Sequence, residues 1–295
     1  MKRFDQWVTQ RIDSIKEPEV SEKPRQKRKI SSTWVLIGVM LVGIGFLLYP
    51  TISDYWNSFH QSRAIAGYVE TVSKIDTSEF ETMWQAADTY NRTLPEKTNR
   101  YVLSEDETDE YNSLLDITGT GIMAYVEIPK IKVSLPIYHG TDEAVLQVAI
   151  GHIPGSSLPV GGDTTHCVIS GHRGLPSARL FTDIDQLEKG DTFLIQTLGE
   201  TLTYEVDQIR TVLPDELDEI EIEAGKDYVT LVTCTPYGVN SHRLLVRGRR
   251  TANAAAHLHV TPDAVQISEG VTTFVLMMIF IVILVIVSAI LPKGL

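Results

Sequence analysis

Thr230-Leu231-Val232-Thr233-Cys234-Thr235-Pro236-Tyr237-Gly238-Val239-Asn240-Ser241-His242-Arg243 sets one of only two cysteines in the chain at the end of a β-rich run, with an arginine nine positions on. A thiol becomes a useful nucleophile at neutral pH only as the thiolate. That needs a positive or hydrogen-bonding neighbourhood and a proton carrier supplied from elsewhere in the fold. The carrier that stands out is His172, in Val168-Ile169-Ser170-Gly171-His172-Arg173-Gly174-Leu175-Pro176, where an apolar run stops at glycine and delivers an imidazole onto a turn. A cysteine nucleophile and its histidine meet in space and not along the chain, which suits this separation. Arg243 completes the set, because a guanidinium stays charged and offers donors in a fixed fork to a developing oxyanion or a substrate carbonyl.

Other chemistries fit less well. Zinc held by His166, Cys167, His172 and Cys234 lacks the usual local spacing, and adjacent residues on a strand point to opposite faces. No G-x-S-x-G elbow is present for serine hydrolysis. Cys167 alternates within a strand-like run and reads as a small buried residue, not as a disulfide partner. His139 and His152 read as structural hydrogen-bonding residues, and Asp183 and Asp185 as turn and capping residues. Arg173, beside His172, is placed to orient its loop or touch substrate.

Working outward, Met123–Ile128, Val133–Tyr138, Cys167–Ser170, Thr192–Thr197, Thr201–Val212, Tyr228–Thr233 and Arg243–Arg249 have the β-branched or alternating character of short strands. Ala144–Ile150 and Leu180–Leu187 read as short helical turns. Such a series predicts a mainly β domain, and composition leaves barrel and sandwich both open. Upstream, Tyr55–Arg92 shows apolar residues at helical spacing and predicts two helices broken near Asp76-Thr77-Ser78, with Thr77 or Ser78 as cap. Thr93–Glu110 is polar and reads as a loop.

Thr233-Cys234-Thr235-Pro236-Tyr237-Gly238 with Arg243, together with Ser170-Gly171-His172-Arg173-Gly174-Leu175-Pro176, resembles the sortases, the cysteine transpeptidases of Gram-positive surfaces. Tyr111-Asn112-Ser113-Leu114-Leu115, Ile128-Pro129-Lys130-Ile131, Leu135-Pro136-Ile137-Tyr138-His139-Gly140, Gly151-His152 and Gly155-Ser156-Ser157-Leu158-Pro159 resemble the pilin-polymerising branch, class C. The resemblance implies an eight-stranded β-barrel over 111–250, with Cys234 as nucleophile, His172 as general acid/base and Arg243 as substrate and oxyanion partner. It also implies an LPxTG-like sorting motif as donor, a lysine amine of another pilin as acceptor, and no cofactor or metal. The alternatives are a housekeeping-type sortase that anchors proteins to a cell-wall precursor, and a non-catalytic pilus assembly scaffold. One family feature is unmatched: Thr93–Glu110 holds no Asp-Pro-aromatic lid triplet, so a lid-like loop is expected to rely on Tyr101 or an acid from Glu105 to Glu110.

Two uncharged segments, 33–50 and 271–291, predict membrane spans flanking this domain. The first 32 residues carry nine Lys/Arg against five acids, so the positive-inside rule keeps them as a cytoplasmic tail and exports the middle of the chain. The second span returns 292–295 to the cytoplasm, after a spacer over 251–270. Ala64-Ile65-Ala66 lies too far past the apolar run for signal cleavage, so the first span is expected to remain as an anchor, followed by extracellular helices and the lid-like loop over 51–110. The chain carries a formal charge of −12, and removing the basic ends leaves −17 outside. That acidity argues against nucleic acid and suits a basic, lysine-bearing protein partner.

Overall fold

The alternation along the strands decides the architecture. In β7 (Asp227–Thr235) Val229 and Leu231 enter the main core, whereas Val232 belongs to a separate apolar cluster on the outer face. Period-two burial of this kind needs a sheet with two distinct faces. The computed structural model, which describes residues 32–253 and residues 277, 278 and 281, closes that sheet into a barrel. The other strands are β1 (Ile122–Ile128), β2 (Val133–His139), β3 (Ile150–His152), β4 (Thr165–Ser170), β5 (Thr192–Thr197), β6 (Glu200–Val212) and β8 (His242–Arg250). Their order around the barrel is β1-β2-β3-β4-β7-β8-β6-β5, with β2/β3 and β4/β7 parallel and the remaining pairs antiparallel. The barrel therefore holds over the sandwich. Ile169, Phe193, Ile195, Tyr204, Leu231 and Val246 fill its interior.

Seven strands fall where the sequence places them, and β3 is an eighth. It follows a short helix, α4 (Glu143–Leu146), within the segment expected to be a helical turn. Upstream, α1 runs unbroken from Ser32 to Val72 across Pro50, so the predicted apolar span and the helix after it are one element. Among the described residues it is the one helix long and apolar enough to cross a membrane. The second predicted span, 271–291, and the spacer beyond residue 253 lie outside the described residues.

Tyr68 locks α1 to the barrel. Its hydroxyl donates to the Met123 carbonyl at 3.1 Å and accepts from the Leu198 amide at 2.8 Å, while Ile65 and Tyr68 pack on Ile122 and Tyr125. Asp76, not Thr77 or Ser78, caps α2 (Thr77–Thr93), its Oδ1 accepting from the Glu79 amide at 2.8 Å. Asn91 of α2 then forms two hydrogen bonds with the backbone of Leu158.

The expected loop over Thr93–Glu110 is only partly a loop. Glu105–Ser113 forms α3, opened by a capping box in which Ser104 and Glu107 satisfy each other's backbone amides. Acids in a first helical turn face the positive end of the helix dipole, which is why the acidic run folds there. The Ser104 amide, Lys97 at 2.9 Å and the Ser104 hydroxyl hold the Glu107 carboxyl down at about 2.

Candidate functional site

Register pairs two of the three sequence-predicted residues and leads the chain carrying the third along the same strand. Ser170 of β4 pairs with Val232 of β7 in parallel, and the chain stays attached beyond the strand end: the Gly171 amide donates to the Val232 carbonyl at 3.0 Å, and Thr233 Oγ1 donates to the Gly171 carbonyl at 2.7 Å. His172 follows two residues beyond Ser170 on this side, and Cys234 two residues beyond Val232 on β7. On the other side Cys234 pairs directly with Arg243 of β8. Cys234 and Arg243 thus face each other on β7 and β8, while His172 stands in the turn that leaves β4, the strand bonded to the other side of β7; neighbouring strands lie about 4.8 Å apart. Alternation puts Cys234 on the outer face with Val232, and Arg243 with Leu245.

Gly171 is what allows this approach. A Cβ there would lie 2.7 Å from both Ile150 Cγ2 and Phe181 Cδ2, so the turn passes too close to the core for any side chain. The His172 carbonyl accepts from the Phe181 amide at 3.2 Å, which anchors the far side of the turn.

Arg173 ties the histidine turn to the cysteine turn. Its Nη1 donates to Thr235 Oγ1 at 3.3 Å, its Nη2 pairs closely with Asp185, and its guanidinium lies 5.9 Å from the Tyr237 ring centre. The side chain is 11% exposed, and Nε is buried without a partner among the described residues. The sequence reads Asp185 as a turn or capping residue, and the fold adds a pairing with Arg173 across 12 residues. Sequence offered one hint, the position of Arg173 between His172 and a glycine. Asp183 likewise pairs with Arg179 at 2.5 Å.

Arg243 is held differently. Nη1 donates to the carbonyls of Asn240 at 3.3 Å and His242 at 3.2 Å, and no carboxylate among the described residues pairs with it. The guanidinium thus keeps donors for a ligand. Cys167, by contrast, is buried in the barrel core, and burial pushes its thiol far above the ordinary range. It cannot supply a thiolate. Among the described residues no cluster of His, Cys, Asp and Glu has metal-binding geometry.

Two further histidines are buried. His166 faces a carbonyl at Nδ1 (Glu221, 2.8 Å) and the Thr230 hydroxyl at Nε2 (2.7 Å), so Nδ1 carries the proton and Nε2 accepts. This pins the β6–β7 connection to the outer sheet. His152 faces the Ser157 carbonyl at Nε2 (2.8 Å) and Tyr111 Oη at Nδ1 (2.9 Å), the hydrogen-bonding role expected for it. Burial holds both imidazoles neutral, pushed down to about 4. His139 bridges toward the Gly121 and Leu114 carbonyls at 3.0 and 2.7 Å.

Tyr101 packs on the outer-face cluster of Val168, Val212, Ile220, Val232 and Leu245, its hydroxyl reaching the Ile220 carbonyl at 3.4 Å, and Arg100 pairs with Glu221 at 2.8 Å. Gly155, at φ +85°, admits the Arg100 backbone so closely that a Cβ would stand 2.1 Å from its carbonyl oxygen. No acid of α3 pairs with Arg243, so of the two candidate lid groups it is the Tyr101 ring that meets the outer face.

The barrel carries this thiol opposite a guanidinium, with an imidazole in the turn after the adjoining strand. The sortase domain profile matches residues 126–251. Sortase D of Bacillus subtilis (strain 168) is 34% identical over 153 residues, covering 50% of this chain and 72% of that protein. Among solved structures, sortase C1 of Streptococcus agalactiae is 53% identical with a TM-score of 0.64, covering 65% of this chain and all of the other. Sortase C of Streptococcus pneumoniae is 45% identical with a TM-score of 0.60, covering 66% of this chain and all of the other. The chain belongs to the sortase family of cysteine transpeptidases, and within that family it is a class C sortase.

Proposed function

We propose that Cys234 is the nucleophile, His172 the general acid/base and Arg243 the oxyanion and carbonyl partner of a transpeptidase that builds covalent pili. The observation that carries this is the Cys234–Arg243 pair on β7 and β8, with His172 in the turn that stays bonded to β7 through Gly171. The Cys234 thiolate attacks a backbone carbonyl carbon in an LPxTG-like sorting motif, and the carbonyl oxygen takes on negative charge that Arg243 hydrogen-bonds. The C–N bond then breaks, His172 protonates the departing amine, and a thioester remains. A lysine amine of another pilin attacks that thioester, His172 accepts its proton, and the thiolate leaves. The product is an isopeptide bond, and the step needs no cofactor.

Class C relatives support the pilin reading, and the pneumococcal sortase C structure is described in terms of pilin substrate specificity. In the proposed topology α1 anchors the enzyme with the basic tail inside and the barrel outside, and 271–291 returns the chain. Tyr101, packed on the outer-face cluster that includes Val232, two residues before Cys234 in β7, supports a lid-like role for residues 97–104. Incubation with a pilin carrying both sorting motif and acceptor lysine tests the reading. A ladder of oligomers that Cys234→Ala abolishes is the expected outcome; a single adduct with a cell-wall precursor means anchoring, and pili formed by Cys234→Ala mean a scaffold.

A further inference from the structure

Helix α1 has two faces where it leaves its apolar half. Asp54, Asn57, Gln61, Ile65 and Tyr68 follow one another at spacings of three and four, the stripe that faces one side of a helix. All five meet the barrel. Asp54 Oδ1 accepts from the Arg179 amide at 2.8 Å, Asn57 Nδ2 donates to the Ser177 carbonyl at 2.8 Å, and Gln61 Nε2 donates to the Val148 carbonyl at 2.6 Å. Ser177 and Arg179 lie in the loop that begins with His172. The membrane-side part of α1 thus braces the loop that carries the candidate general acid/base.

The opposite face carries Tyr55, Trp56 and Phe59, which are 50%, 63% and 44% exposed. Three large rings side by side in water are unusual for one exposed helical turn. Their position explains them. No charged residue occurs from Ile30 to Ser53, and Trp34, 62% exposed, stands near the other end of that run. From Trp34 to Trp56 the helix rises about 33 Å. A bilayer's hydrocarbon core is about 30 Å thick, and tyrosine and tryptophan concentrate at its two boundaries. Arg63, whose guanidinium lies 5.9 Å from the Phe59 ring centre, adds a cation on the side away from the apolar run, at the level of phosphate headgroups.

We infer that Tyr55, Trp56 and Phe59 form a lipid-binding face seated in the outer headgroup boundary. With the other stripe of α1 bonded to Ser177 and Arg179, this face holds the His172 loop against the bilayer surface and sets the height of the candidate catalytic residues. The inference rests on the reading of α1 as a membrane span and goes beyond it, since a span alone leaves the barrel free to stand away from the lipid.

The test uses the full chain in phosphatidylcholine–phosphatidylglycerol vesicles, with single-tryptophan variants that retain Trp34, Trp56 or Trp84 and carry Phe at the other positions. Fluorescence is read with lipids brominated near the headgroup end of the acyl chain. Trp34 and Trp56 are expected to be strongly quenched, and Trp84, packed on the barrel core, to be unaffected. Trp34 quenched with Trp56 unquenched overturns the lipid face while leaving the anchor intact. Neither quenched removes the anchor and the inference together, and Trp84 quenched as strongly as Trp56 shows that the domain meets lipid by another surface.

Discussion

Cys234 and Arg243 stand directly opposite each other in the β7–β8 ladder, yet among the described residues the Arg243 guanidinium is held only by the carbonyls of Asn240 and His242. Carbonyl bonds fix its plane without neutralising it. Arg243→Lys keeps the charge and loses the fork, so kcat is expected to fall by roughly 10²–10³, the cost of one oxyanion donor. Steady-state kinetics on a sorting-motif peptide checks this, and a lysine variant of near-normal kcat would mean that charge alone suffices.

The Arg173–Asp185 pair predicts a positioning effect. Arg173→Met frees the His172 turn from Thr235 and is expected to lower kcat by up to about 10²-fold, the scale of an ångström's misplacement, with KM little changed. Asp185→Asn should give a smaller loss, and adding it to Arg173→Met should cost nothing more. A change confined to KM would place Arg173 in substrate binding instead.

Tyr101 packs on the outer-face cluster of Val168, Val212, Ile220, Val232 and Leu245. If residues 97–104 compete with the sorting motif, Tyr101→Ala should lower the peptide KM several-fold, because less packing must be displaced, and should speed alkylation of Cys234 by a bulky thiol reagent. Unchanged alkylation together with a raised KM would make the segment a fixed wall of the groove.

Acidification should destabilise the fold through His152 and His166. Each imidazole is pushed down to about 4 in the folded protein against an ordinary 6.5, so the unfolded chain binds the proton first. The stability they contribute is complete above pH 6.5 and is lost as pH falls toward 4, on the order of 3 kcal/mol for each. Thermal unfolding in detergent should show Tm dropping across that window, and His166→Gln should flatten the drop. An unchanged slope in that variant would count against a buried neutral His166.

The site was legible because its residues announce themselves locally: a cysteine closing a β-branched run, and a histidine after a glycine at the end of an apolar one. Asp185 was not legible, since its partner is fixed only when the loop after β4 folds back on β7. Strand β3 escaped because Ile150-Gly151-His152 is too short to alternate and exists through pairing with β2 and β4. Helix α3 lacks an apolar stripe, though Ser104 and Glu107 held the capping signal that reveals it. The single helix α1 was divided at Pro50, which removes one backbone donor but leaves enough neighbouring hydrogen bonds for the helix to continue.

The most direct test of the account is intact-mass and peptide-mapping mass spectrometry of the enzyme after exposure to an LPxTG-type peptide without an acceptor. The account predicts an acyl adduct on Cys234 that a lysine-bearing pilin removes, that Cys234→Ala abolishes and that His172→Ala strongly diminishes. An adduct mapped to Cys167, or one that persists in Cys234→Ala, would contradict it.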